Sequence, residues 1–359
     1  RSGTHQRQIP MAFVTSRSAK KLTFLKTMRL CRVTVLSAFV FLLCRNRNIF
    51  ARSSSDTGTY SPELARVAVI GSTGYIGSRL AEALHEYGHS VAGYDRDSAA
   101  WALETRYPFV QLQARDIPTR TLRSYDVIIY LGGYTGRAVC EAFPGDAHSE
   151  NVEDIVHLLK RMERRQLLIF ASTSAILEGA GTEPADESWK VEEHLLDGYA
   201  LSMYEREHQL LGISQSISKS PNMIGFRFGT VIGHSRSQRQ EMAYLAFVKS
   251  AFTSGQLDVR HPETARTFLW MNDLIRAVQA VIIARPSPRF RIYHLGSFAT
   301  TIGQVAVEVS SMTGAFVRQH PHSGDDVTGF SLSSEAFKSD FNFEFNGNSN
   351  VLVEELITN

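Results

Sequence analysis

Tyr199 and Met203 stand four residues apart in the segment DGYALSMYEREHQL, residues 197–210, with Ser202 between them. On a helix, residues at that spacing share one face. A tyrosine so placed serves either as core packing or as an acid/base whose hydroxyl gives and takes a proton. A lysine at 203 would mark the second role, but the thioether of Met203 brings neither charge nor donor. A second stretch with chemical content is GSTGYIG, residues 71–77. Here Gly71 permits a tight turn, Gly74 lets backbone approach a pyrophosphate, and Gly77 lets a helix sit against a strand. Thr73, Tyr75 and Ile76 complete this cradle, and the helix that follows offers free N–H groups and a positive dipole end to the phosphates. Asp95 ends the next apolar run and can accept hydrogen bonds from an adenosine ribose, which favours NAD over NADP. Arg96 beside it softens that preference and leaves NADP possible.

These residues need elements to hold them, and the pattern from residue 66 supplies them. RVAVIG (66–71) reads as a buried strand and YIGSRLAEALHEYG (75–88) as a helix, with Ile76, Leu80 and Leu84 on one face. SVAGYD (90–95), FVQLQARD (109–116), DVIIYLGG (126–133) and QLLIFAS (166–172) read as further strands. NVEDIVHLLKRMER (151–164) reads as a helix, and GFRFGTVIG (225–233) as a strand after the helix that carries Tyr199. Strands alternating with helices predict an α/β fold: a Rossmann-type, doubly wound parallel sheet covered on both faces. After about residue 235 the pattern is more mixed. The expected organisation is a dinucleotide-binding domain over residues 60–235 and a smaller substrate lobe over 236–359, interleaved with the sheet.

The charge is divided unevenly. Residues 1–55 hold eleven Lys/Arg and no Asp or Glu, leaving 27 basic against 36 acidic side chains in the remainder. An acidic body argues against a nucleic-acid partner. The basic, Ser-rich leader surrounds a twelve-residue apolar run, Val33–Cys44. That length suits the core of a signal peptide, the composition also suits an organelle transit peptide, and a short membrane anchor is the third option. The expected destination is an organelle or the secretory pathway, or the cytoplasm if the leader has no function. Of three cysteines only Cys140 lies in the body, which predicts neither a disulfide framework nor a metal site.

The GxxGxxG spacing, followed by further segments in consistent order, resembles the extended short-chain dehydrogenase/reductases, the NAD-dependent epimerases and dehydratases that act on nucleotide sugars. The resemblance runs from about residue 66 to 345. Asp116-Ile117 resembles the family's pair beside adenine, and YLGGYTG (130–136) its fourth-strand stretch, which would set Leu131, Gly132 and Gly133 along the cofactor. Asn151-Val152, IFASTSAIL (169–177), ARTFLWMNDLIRAV (265–278) and YHLGSFATTIGQVA (293–306) are similar to later family segments.

What the resemblance implies is an active site of a strand-end Ser/Thr and a Tyr-xxx-Lys helix. The Tyr takes a proton from a sugar hydroxyl as hydride passes to nicotinamide, and the Lys binds the ribose and eases ionisation of the Tyr. Tyr199 takes the base position. Thr173 takes the hydroxyl position when aligned from Phe170, and Ser174 when counted back from Gly179. The same run also suits a polar strand end that caps nearby backbone. Met203 replaces the lysine, and Arg206, on the same face a full turn further along, is expected to lie too far to replace it. On the substrate side Thr230 stands where the family usually has Asn, and His322 in HSGD (322–325) where many members have Arg. Arg266 matches an arginine that clamps a diphosphate, although a surface ion pair would also explain it. Two functions follow: an NAD-dependent sugar epimerase, dehydratase or reductase, for which the resemblance implies a homodimer as in many family members, or a non-catalytic cofactor-binding relative with a role in assembly.

Overall fold

Val67, Ala68, Val69 and Ile70 are all buried, so the first apolar run is a strand covered on both faces. The computed structural model describes residues 64–320 and 329–358. The basic leader and His322 therefore lie outside the described residues. Seven strands form one sheet: β1 (Arg66–Ile70), β2 (Ser90–Asp95), β3 (Phe109–Gln111), β4 (Val127–Tyr130), β5 (Leu167–Thr173), β6 (Asn222–Phe228) and β7 (Arg291–Leu295). Their spatial order is β7-β6-β5-β4-β1-β2-β3, and every pairing is parallel. The chain winds outward from β1 in one direction through β3 and in the other from β4 onward, as a doubly wound sheet requires.

Alternation along β1 divides the core. Val67 and Val69 face helix α1 (Tyr75–Glu86), packing with Leu80, Leu84 and, from helix α4 (Met271–Ala284), Leu274 and Val278. Ala68 and Ile70 face the other side, with Ile155 and Leu158 of helix α2 (Asp154–Leu159) and Leu210 of helix α3 (Gly198–Ser216). Beyond the main sheet, Thr230–Ile232, Ala265–Trp270 and Phe298–Thr301 make a three-stranded sheet. A separate apolar cluster that includes Tyr244, Phe268 and Val305 packs against it.

Three elements differ from the sequence pattern. The run FVQLQARD is a strand only to Gln111, because β3 is the sheet edge and its partner β2 ends at Asp95; residues Ala114–Asp116 turn into a 3-10 helix. GFRFGTVIG is two strands rather than one. Gly229 turns the chain out of the main sheet so that Thr230–Ile232 pairs with Phe268–Trp270. A Cβ at Gly229 would sit 2.8 Å from the Thr267 carbonyl oxygen, so the two chains approach this closely only over a glycine. Finally, the predicted helix from Asn151 is preceded by and merged with a π turn, Ser149–Glu153, and α2 ends at Leu159. π turns inside helices often accompany functional sites.

Candidate active site

The register aligns the carboxyl ends of the central strands. Ile70 pairs with Tyr130 and Tyr130 with Phe170, but β5 continues three residues further, so that Thr173 pairs with Phe228. Thr173 thereby projects above the level at which β1 and β4 end. Between those ends opens a cleft of about 940 Å³, whose walls include Gly71, Asp95, Gly132, Thr173, Tyr199 and Arg266. It lies where the strand order reverses, the place where open α/β sheets bind ligands.

One wall is the glycine turn. Gly71 has φ +87°, and a Cβ there would meet the Leu131–Gly132 backbone at 2.9 Å. Gly74 is the N-cap of α1, with extended backbone and no capping side chain, and the first turn holds no acidic residue. The opening N–H groups of the helix are thus left for an acceptor in the cleft. Thr73, Tyr75, Ile76, Gly77 and Gly133 also line it. The Asp95 carboxylate accepts from the backbone N–H of Thr73 at 2.9 Å, which fixes it at the rim of the turn. Arg96 is ion-paired with Glu150 and stacks 4.8 Å from the centre of the Tyr134 ring. A second segment straps this wall in place: Ser237 donates to the Thr73 carbonyl (2.5 Å), Ser235 to that of Tyr75 (2.7 Å), and the Tyr75 hydroxyl to that of Gly233 (2.8 Å). Nothing in the local pattern of residues 233–237 announces this, since its partners lie some 160 residues earlier in the chain.

The opposite wall carries the acid/base candidates. Asp197 caps α3, its Oδ1 accepting from the Ala200 N–H at 2.8 Å, so Tyr199 falls in the first helical turn, where the backbone favours negative charge. Tyr199 is half-buried and lines the cleft with Thr173, Ser174 and Met203. Of the two hydroxyl candidates, Thr173 is the one whose side chain acts on the Tyr199 phenol, holding its pKa down. Thr173 also accepts from the Ala175 N–H (3.2 Å), which orients its hydroxyl. Burial raises the pKa of Tyr199; the Thr173 hydrogen bond and then the positive charges of Arg206 and Arg239 oppose the rise. Ser202 is turned away, donating to the Tyr199 carbonyl (2.8 Å) and accepting from Asn151 Nδ2 (2.9 Å).

Arg206 reaches further than its helical spacing suggests. It is only 1% exposed, lines the same cleft, and donates to the carbonyls of Asn151 (2.5 Å), Ala171 (2.8 Å) and Gly132 (3.2 Å). The signal in the sequence was a charged residue within the stripe Tyr199, Met203, Arg206, Leu210, whose last three members are buried. On the remaining wall, Thr230 opens its short strand beside Arg266. Arg266 donates to the Ala265 carbonyl (2.8 Å) and lies 4.9 Å from the centre of the Phe330 ring. No carboxylate pairs with Arg266 among the described residues, and burial lowers its pKa. Asp116 and Ile117 do not line the cleft: Asp116 is exposed and Ile117 sinks into the core, because the chain turns early after β3. Leu112, Gln113 and Ala114 stand there instead.

Behind the cleft lies a buried polar chain. Glu207 and Arg227 form a two-bond ion pair (3.0 and 2.7 Å), Glu207 also accepts from Ser172 (2.5 Å), and Arg227 faces His294 Nε2 at 3.3 Å. His294 Nδ1 lies 3.1 Å from the Ala185 carbonyl, which fits a neutral ring donating there and accepting from Arg227. Burial and then Arg227 push the His294 pKa down to about 4. The unfolded chain thus binds a proton between that value and the ordinary 6.5 while the folded chain does not, so this term stabilises fully above that window and is lost as pH falls. The expected loss is about 2 kcal/mol between about pH 7 and pH 5. Denaturant titrations of wild type and His294→Gln at the two pH values check it, and equal pH dependence in both would refute it.

Comparison with known proteins places this geometry. The NAD dependent epimerase/dehydratase family matches residues 67–296. Protein CapI of Staphylococcus aureus is 24% identical over 241 residues, covering 62% of this chain and 71% of that protein. UDP-glucose 4-epimerase of Mycoplasma pneumoniae is 28% identical over 186 residues, 48% of this chain and 54% of that one. Among solved structures, MoeE5 in complex with UDP-glucuronic acid and NAD superposes with a TM-score of 0.70 at 18% identity, covering 81% of this chain and 97% of the other, a likeness of fold.

Proposed function

We propose, from the premise that this chain belongs to the NAD dependent epimerase/dehydratase family, that it is an oxidoreductase-type enzyme acting on a nucleotide sugar with Tyr199 as its acid/base. The observation that carries the reading is that Tyr199 and Thr173 line one cleft together with the uncapped glycine turn.

The residues present fit NAD. The free N–H groups at the start of α1 suit its pyrophosphate, and the Asp95 carboxylate suits its adenosine ribose. Arg96, already neutralised by Glu150, gives little help to an extra ribose phosphate, which favours NAD over NADP. When bound, NAD supplies a two-electron hydride acceptor and donor at its nicotinamide. The side chains manage the proton and the position. Tyr199 Oη, once ionised, takes the proton from a sugar hydroxyl and returns it later, while Thr173 Oγ1 holds the same substrate oxygen. Arg266, with which no carboxylate pairs among the described residues, is the cation for the substrate's diphosphate, and Thr230 lines the same cleft.

Purified full-length chain incubated with NAD and a set of UDP- and other nucleotide sugars should give product detectable by mass and transient absorbance of reduced nicotinamide. Tight NAD binding with no turnover on any of them would favour instead the non-catalytic reading that the buried Met203 suggests. Because the Tyr199 pKa is raised, the phenolate fraction grows as pH increases. Turnover is therefore expected to climb up to about tenfold per pH unit above neutrality until the phenol titrates. A pH-independent rate would remove Tyr199 as the base.

A further inference from the structure

We propose that Arg206 is the counter-charge of Tyr199: its guanidinium, locked on three backbone carbonyls, supplies the cation that position 203 lacks and steadies the ionised tyrosine. This rests on the reading of Tyr199 as the acid/base. The geometry carries it as follows. Arg206 is buried under the cleft and spends three N–H groups on carbonyls from the turn after β4, the π turn and β5. Its Nη2 lies beside Gly133, where an added Cβ would be 3.2 Å away. No carboxylate pairs with it among the described residues, for both oxygens of the adjacent Glu207 are taken by Arg227. Glu207 attracts it only through space; a buried cation whose hydrogen bonds all go to neutral carbonyls is costly, and a further anion nearby offsets that cost.

The ionisable groups around it leave one candidate for that anion. Tyr130, with Arg206 5.4 Å from its ring centre, is fully buried and donates to the Glu150 carbonyl (3.2 Å), and burial pushes its pKa up. Cys140 is likewise pushed up by burial. Arg239, the other cation facing Tyr199, is held by Glu241 at 2.7 Å. Tyr199 alone combines a place on the cleft wall with Thr173 and Arg206, a helix N-terminal turn and the field of that guanidinium. Met203 contributes only its apolar volume on this face.

The test reads the proton directly, in full-length protein without cofactor or substrate. Tyrosines labelled with carbon-13 at Cζ are titrated by NMR, and the Tyr199 signal is identified by its loss in Tyr199→Phe. The Tyr199 midpoint in Arg206→Gln is expected at least about one pH unit above wild type, with Arg206→Lys recovering more than about half of the difference. Equal midpoints in wild type and Arg206→Gln would overturn the proposal and leave Arg206 a structural staple. Should Arg206→Gln fail to fold, Met203→Lys in the wild-type chain decides. With a cation already in place, the midpoint should fall by less than about half a unit; a fall of more than about two units, as for a tyrosine meeting its first cation, would overturn the proposal. If no nucleotide sugar turns over but the midpoint shift is present, the proposed function fails and this inference stands. Turnover with equal midpoints gives the reverse.

Discussion

Tyr199→Phe is expected to lower turnover about a thousandfold while leaving fold and NAD affinity nearly unchanged. The phenyl ring keeps the half-buried volume of the first turn of α3, and the Asp197 cap that sets that turn does not involve the phenol. The deletion removes one hydroxyl, about 1 kcal/mol of stability at most. Thr173 keeps its contact with the Ala175 N–H, so the strand end does not rearrange. What disappears is the hydroxyl that the proposed mechanism uses to carry the substrate's proton. Steady-state kinetics, thermal unfolding and an NAD titration on the same preparation separate these effects. A phenylalanine variant with more than about a tenth of wild-type turnover would show that another group moves the proton. Thr173→Ala added to Tyr199→Phe should cost little more if the two hydroxyls act on one oxygen as proposed.

Gly77→Ala should be the most damaging single-methyl change in the molecule, costing about 3 kcal/mol or more and lowering NAD affinity at least about a hundredfold. A Cβ on Gly77 would sit 2.0 Å from the Gly71 carbonyl oxygen, 2.8 Å from its carbon and 3.0 Å from Ser72 Cα. All three are backbone, so relief requires the helix to retreat from the turn or the turn to open. Either movement spoils the N–H groups that face the cleft, which couples the stability loss to the binding loss. Two controls bracket it. Gly212 in α3 has open space around it, so Gly212→Ala should be neutral or slightly stabilising. Gly74→Ala meets only the Gly71 oxygen at 3.3 Å with ordinary backbone angles. It should spare the fold and affect chiefly the approach of a pyrophosphate. Denaturant unfolding and NAD titration of the three variants give the ranking, and a Gly77→Ala as stable as Gly212→Ala would refute the steric account.

These two positions were readable in the sequence because their evidence is local. The glycine triplet sits between an apolar run and an amphipathic one, and Tyr199 stands one helical turn before position 203 in a segment that reads as a helix. The parallel sheet was readable for the same reason, since strands buried on both faces must be apolar throughout. Its edges were not: β3 stops at Gln111 where its partner stops, and the residues at 225–233 divide at Gly229 where another chain segment crosses. Neither limit is encoded in the hydrophobic pattern.

Sequence alone therefore determined the winding of the sheet, the phosphate-binding turn, the position of Tyr199 and the absence of a lysine beside it. Tertiary structure decided what surrounds that tyrosine. Thr173 rather than Ser174 meets the phenol because β5 runs three residues past its neighbours. Asp116-Ile117 leaves the cleft because the edge strand ends early. Arg206 enters it because carbonyls from three separate elements converge under α3 and draw the guanidinium inward. Helical periodicity fixes the face from which a long side chain departs; where its charged end comes to rest depends on acceptors that only the folded chain brings together.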